Sequence, residues 1–443
     1  MKHLMQQVKG DRVIWGVVVI LSLISMLAVY SSTGMLAYRM QHGHNEYYLF
    51  KQVSVLLFGL LIIYLSHRVH YMIYARVAKM GVIVAVPLLV YTLLFGSHVN
   101  DASRWIRLPV INLTFQTSDF ARLVLFMYVS LQLARHQEQI KDFHKGYKPV
   151  LVAMLVICGL IAPANLSTAL LLGASCLLLC FIGRISIRHL MITLLVLALP
   201  LLLLMAIASL TYHPDDAQTA SVHHQQAWYE KLIERAEGKG RVATWIHRVQ
   251  DFMYASHEDA PYQVEQAKIA IARGGLFGKG PGNSIQRNFL PYPYSDFIFA
   301  IIVEEYGLAG ATLLVMLYLI LLFRCIRLFR KCPYAFGSFL CIGLSFTLVI
   351  QAFANMAVAV NLLPVTGVTL PLVSMGGSSI WFTSLSIGII LSVARHMQEQ
   401  EEWEKLHASS SDNHIQNWID QLNHAEDTVQ QPVYGKMESS SLV

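Results

Sequence analysis

The chain has 443 residues, 55% of them hydrophobic and only 14% charged, with a net charge of +6 and a mean hydropathy of +0.50. An ordinary soluble domain carries about 25% charged residues, so this balance excludes a water-soluble core and describes a polytopic membrane protein. The surplus Lys and Arg sit between apolar runs, which makes the positive charge topological and gives no indication of nucleic-acid binding.

The first apolar run, 13–31, follows a charged dodecapeptide and lacks a small-residue cleavage site, so a retained helix is predicted instead of a cleaved leader. Further runs long enough to cross about 30 Å of hydrocarbon fall at 48–66, 79–96, 118–134, 149–163, 166–183, 190–210, 297–323, 337–361 and 378–394. The expected fold is therefore an all-α polytopic membrane protein of about ten transmembrane helices. Residues 1–395 form the membrane domain, 211–295 a large extracytoplasmic loop between spans 7 and 8, and 396–443 a polar, flexible C-terminal tail. With the N-terminus inside, sixteen Lys and Arg fall in the inner segments and only Arg39, Arg104 and Arg107 in the short outer loops. This places both termini in the cytoplasm and the long loop outside. None of the six cysteines falls in an outer loop, so no disulfide framework is expected.

Polar clusters then recur on the outer side. NDASRWIRLP at 100–109 and FQTSDFARL at 115–123 bring Arg104, Trp105, Asp119 and Arg122 to the mouth of span 4. An Arg beside an acid serves as structural glue, and a guanidinium also binds phosphate bidentately. APANLSTA at 162–169 breaks a hydrophobic run at Pro163 and Asn165, as a tight turn or as irregular backbone lining a wet cavity. Within the long loop, residues such as His213, Asp215, Asp216, His223 and His224 read as a solvated face. Arg241 and Arg248 flank Trp245 and His247, a basic and aromatic arrangement suited to anionic head groups.

The stretch GGLFGKGPGNSIQRNFLPYPYSDFIFAIIVEEYG, 274–307, runs a Gly-rich loop into a hydrophobic helix with Asp296 at its mouth. An acid where a span begins calls for a partner, an ion or a substrate, because an unpaired charge in hydrocarbon is costly. NLLPVTGVTLPLVSMGGSSI at 361–380 interrupts apolar sequence with Pro364, Gly367, Pro371, Gly376, Gly377, Ser378 and Ser379, which implies a re-entrant or broken segment buried in protein. Clusters converging on one face suit a substrate whose lipid tail lies in the bilayer while its polar head emerges outside.

These clusters, in this order, resemble the SEDS family (shape, elongation, division and sporulation), the membrane glycosyltransferases that include FtsW, RodA and SpoVE. The resemblance covers about 10–395. NDASRWI is similar to the family's Asn-Gly-Ala-Ser-Arg-Trp-Ile, QTSDFAR to Gln-Pro-Ser-Glu-Phe-Ala-Lys, APANLST to Gln-Pro-Asp-Leu-Gly-Thr, and YSDFIFA to His-Thr-Asp-Phe-Ile-Phe-Ala. Residues 362–379 resemble Leu-Leu-Pro-Val-Thr-Gly through Gly-Gly-Ser-Ser. Tyr294 stands where many relatives have His, Asn165 replaces an acid, Asp119 and Arg122 replace Glu and Lys, and Asn361 and Met375 replace Gly and Tyr.

The resemblance implies polymerisation of lipid II into glycan outside the cytoplasmic membrane, with Asp296 catalytic. Arg104, Trp105, Arg122, Arg248, Gly280, Ser284, Gln286, Ser374, Gly376, Gly377 and Ser378 are then the candidate substrate-binding residues. Asp119, Asn165, Glu304, Glu305, Pro364 and Gly367 are the candidate supporting ones. It also implies a divalent cation, Mg or Mn, at a site the sequence does not specify. The implied partners are a class B penicillin-binding protein (a transpeptidase) and other divisome membrane proteins. The Pro-Val-Thr-Gly form at 364–367 and the long tail are nearer the division branch than the RodA-like elongation branch. A lipid-precursor flippase or transporter and a noncatalytic divisome scaffold are the readings from other classes.

Overall fold

The computed structural model describes residues 9–40, 45–99, 102–108, 113–210, 241–254 and 262–429. A helix stands at each of the ten expected spans: α1 Arg12–Ser32, α3 Asn45–Arg68, α4 Tyr71–Phe95, α5 Thr117–Arg135, α6 Lys148–Ile161, α7 Leu166–Ile182, α8 Ile187–Leu210, α11 Ile298–Lys331, α12 Ala335–Ala359 and α13 Ser378–Val429. Short α2, Gly34–Met40, follows α1, while α9, Arg241–Tyr254, and α10, Tyr262–Gly274, lie in the second half of the long loop. Its first half, including the His and Asp residues at 213–224, lies outside the described residues.

Eight of the ten are long and apolar enough to cross a membrane, α6 together with the helical turn Phe143–Tyr147 that leads into it. Of the other two, α5 carries Asp119, Arg122 and Arg135, and α7 has only 17 residues. Both are interior elements: α5 packs on α4 and α12, and α7 on α6 and α12. Large apolar side chains such as Leu199, Phe95 and Ile83 point outward, as hydrocarbon contact requires.

Two expectations need correction. The third span was expected from 79, but α4 begins at Tyr71, capped by His70, so Lys79 lies two turns inside a helix. The eighth run is not one straight helix, since α11 breaks at Gly307 with φ 66° and ψ −163°. There a Cβ would collide with the backbone of Leu276 and Gly278, which leaves room only for glycine. The all-α frame holds, and to it β1 Ser97–Val99, β2 Ala102–Leu108 and β3 Leu113–Gln116 add a small antiparallel sheet of order β1-β2-β3. Its register pairs Trp105 with Gln116 and so carries Trp105 to the start of α5.

Two faces result from the alternation of the helices. On one, the described chain ends meet: Gly10 N donates to Gln398 Oε1 at 2.9 Å, and Arg324 pairs with Asp11, the N-cap of α1. Beyond it α13 continues as helix through the residues expected to form a flexible tail, as far as Val429. The sheet, α9, α10, the turn before α7 and the irregular segment 361–377 gather on the opposite face.

Candidate active site

On that face a cavity of about 290 Å³ is lined by residues from nearly every outer element. Asp296, Tyr292 and Ser295 enter it from the turn before α11, Trp105 and Gln116 from the sheet, and Asp119 and Arg122 from α5. Arg248 of α9, Gln351 of α12, and Gly367 and Thr369 of the irregular segment complete the polar wall. Several expected site residues, distant in sequence, therefore converge on one space.

The turn holding Asp296 is pinned through its backbone. Asn355 Nδ2 donates to the Asp296 carbonyl at 2.8 Å, Ser374 Oγ to the Ser295 carbonyl at 2.6 Å, and Met375 N to the Tyr294 carbonyl at 2.9 Å. The carboxylate itself accepts from Ser295 Oγ at 2.9 Å. Burial, reinforced by Tyr292, holds the Tyr294 phenol above its ordinary range, so this residue is a neutral hydrogen-bond donor at physiological pH. Tyr292 adopts φ +56°, a strained conformation for a non-glycine residue directly at the cavity rim.

Across the cavity, Arg122 donates to Asp119 Oδ1 at 3.2 Å and to Gln351 Oε1. Gln351 Nε2 in turn donates to the Thr369 carbonyl at 2.8 Å. Both charged residues are nearly buried, with Asp119 4% and Arg122 9% exposed. Arg248 donates to the Val365 carbonyl at 3.3 Å. The irregular segment thus has its backbone groups met by side chains of α9 and α12, the condition for non-helical chain at membrane depth.

Other expected site residues do different work. Gly280, Ser284 and Gln286 do not line the cavity; they wrap the two acids of α11. Glu304, fully buried, accepts from Ser284 Oγ at 2.5 Å, Gln286 N at 3.1 Å and Lys279 Nζ at 3.1 Å. Glu305 accepts from Ser31 Oγ, and its carbonyl takes Gly280 N at 2.9 Å. The Gly-rich loop is therefore a pedestal under the short helical segment that follows Asp296. Ser374 braces Ser295 from outside the cavity, and Ser378 Oγ accepts from Gln116 N at 3.1 Å, joining β3 to the start of α13 through the turn at Gly376 and Gly377. Pro364 opens the irregular segment without reaching the cavity, whereas Gly367 lines it. Asn165 caps α7, its side chain accepting from Thr168 N at 3.2 Å, which favours the tight-turn reading. Arg104 lies in β2 beside Trp105.

Thr347, Gln351 and Asn355 were absent from the sequence reading. Their four-residue spacing in an otherwise apolar helix puts them on one face, a signal available in the sequence. Among the described residues no three His, Cys, Asp or Glu side chains gather into a closed chelate. Asp296 and Asp119 are the carboxylates of the cavity lining, and Asp119 is already paired with Arg122.

Residues 11–399 match the FtsW/RodA/SpoVE family model, described as "Cell cycle protein". A relative named "Probable peptidoglycan glycosyltransferase FtsW", from Geobacter sp. (strain M18), is 30% identical over 400 residues, covering 89% of this chain and 99% of its own. Among solved structures, a chain of "Structural coordination of polymerization and crosslinking by a peptidoglycan synthase complex" aligns with a TM-score of 0.59 at 24% identity, covering 88% of this chain and 98% of that one. Thermus thermophilus rod shape determining protein RodA aligns with a TM-score of 0.57 at 24% identity, covering 87% and 97%. At these identities the structures establish a shared fold.

Proposed function

This chain belongs to the FtsW/RodA/SpoVE family of cell cycle proteins, and from that premise we propose that it is a peptidoglycan glycosyltransferase that polymerises lipid II, on the division branch. The observation that carries the reading is the meeting of Asp296 with Arg122, Arg248 and Trp105 around one cavity on a single face. A transporter would need polar access from both faces, and a scaffold has no use for a carboxylate held so closely in place.

In the proposed reaction Asp296 accepts the proton of the acceptor sugar hydroxyl as that oxygen attacks the anomeric carbon of the donor. The bond from that carbon to the lipid pyrophosphate breaks, and the pyrophosphate leaves with the bonding pair. Attack from the opposite face inverts the linkage with one base and no covalent intermediate. The guanidiniums of Arg122 and Arg248 face the leaving pyrophosphate and stabilise its charge. Ser295 orients the Asp296 carboxylate, while Trp105 offers a flat apolar surface to a sugar ring. A divalent cation belongs to the same proposal. Mg is typically held by one or two carboxylates together with substrate phosphates, and Asp296 would be the protein ligand. Such a cation would neutralise pyrophosphate charge.

The proposed orientation has both termini cytoplasmic and the cavity facing outward, with a class B penicillin-binding protein as partner. The resemblance in fold to a chain from a peptidoglycan synthase complex supports that pairing. The test is polymerisation of lipid II by the protein purified with its cognate transpeptidase, with and without divalent cation, compared with Asp296→Asn. The expected result is long glycan from the native pair and a rate lower by about 10²–10⁴-fold in the variant; equal rates would move the base elsewhere.

A further inference from the structure

On the face opposite the cavity, a groove of about 630 Å³ opens between α4, α5 and α6. Its walls are apolar: Val82, Ile83 and Val86 on α4 face Val152 and Val156 on α6. Lys79 and Lys148 line it as well, and among the described residues no acid does. Neither lysine forms an ion pair among the described residues. Lys79 is eight residues into α4, about 12 Å from its start, and so is not a charge at a helix end. A cation beside an apolar groove between membrane helices calls for a partner. Gln132 of α5, 6% exposed, lines the same groove, and its side-chain amide makes no hydrogen bond among the described residues.

We propose that this groove binds an anionic glycerophospholipid from the leaflet on the side of both described chain ends. The phosphate lies between Lys79 and Lys148, Gln132 donates to an ester carbonyl, and an acyl chain runs between the valines of α4 and α6. Two cations, one amide donor and hydrocarbon walls in one groove match the phosphate, ester and acyl groups of a phospholipid. Basic pockets between transmembrane helices recognise lipid head groups in this way. A partner's transmembrane helix would fill the apolar part yet leave both cations and the amide unmatched.

The test is native mass spectrometry of the full-length protein released from nanodiscs containing equal phosphatidylglycerol and phosphatidylethanolamine. The native protein is expected to retain phosphatidylglycerol preferentially. Lys79→Gln with Lys148→Gln should weaken that retention about thirtyfold, the effect of two lost cations near a membrane surface. Val156→Trp, which fills the groove without altering charge, should remove it as well. Lys141→Gln with Arg188→Gln, an equal loss of charge elsewhere on the same face, should leave it intact. Retention unchanged in the lysine double variant, or lost equally in the charge control, would overturn the proposal. Should the double variant fail to fold, Val156→Trp decides, with unchanged retention refuting the site.

Discussion

Arg122→Met, alone and combined with Asp119→Asn, separates what the arginine does for the fold from what it does for substrate. Arg122 and Asp119 are 9% and 4% exposed and lie 3.2 Å apart, so the single substitution strands a buried carboxylate. Breaking a buried pair in this way costs about 3–5 kcal/mol, whereas replacing both partners by neutral groups of similar size is often close to neutral. Thermal unfolding in nanodiscs, followed by tryptophan fluorescence, should therefore rank the native protein and the double variant together, with Arg122→Met well below. Polymerisation should follow a different order. Loss of one charge-stabilising group from a preorganised site costs about 10²–10³ in rate, so both variants should be slow, and the restored stability of the double variant should not restore activity. A double variant polymerising at the native rate would refute the substrate role and leave Arg122 as a countercharge. A single variant as stable as the native protein would show that the pair is not buried as described.

Asn355→Leu removes the donor to both the Asp296 and Val368 carbonyls, each 2.8 Å away. Two buried carbonyls left unsatisfied cost about 1–3 kcal/mol each, and a loosened turn should lower the turnover rate about 100-fold; unchanged turnover in a correctly folded variant would show that Asp296 needs no such anchor. Gly307→Ala places a Cβ at φ +66° against the backbone of Gly278 and Leu276. Its folded yield by size-exclusion chromatography should fall sharply, while Gly16→Ala, where a Cβ meets nothing within 4 Å, should not change it; matching yields would argue against the kink.

From the sequence alone the class of the molecule, the ten spans and the position of Asp296 at the mouth of a span could be read. Transfer into hydrocarbon depends on local composition, and composition is written along the chain. Two local boundaries nevertheless escaped. A hydropathy window discounts Arg76 and Lys79 and so starts α4 late, and it averages over the single residue at which α11 breaks. The division of labour among polar residues was settled only by tertiary structure. Gly280, Ser284 and Gln286 read as a substrate loop, yet they serve the buried Glu304 and Glu305. Gln351 and Asn355 read as apolar helix, yet they link α5 and the Asp296 turn to the irregular segment. Hydropathy records how much polar surface a segment carries and not whether that surface faces lipid, a neighbour or a cavity. The deciding partners are far apart, Arg122 from Gln351 by 229 residues and Ser374 from Ser295 by 79. Only packing of the helices brings such groups within hydrogen-bond reach, and that juxtaposition makes the cavity a candidate site.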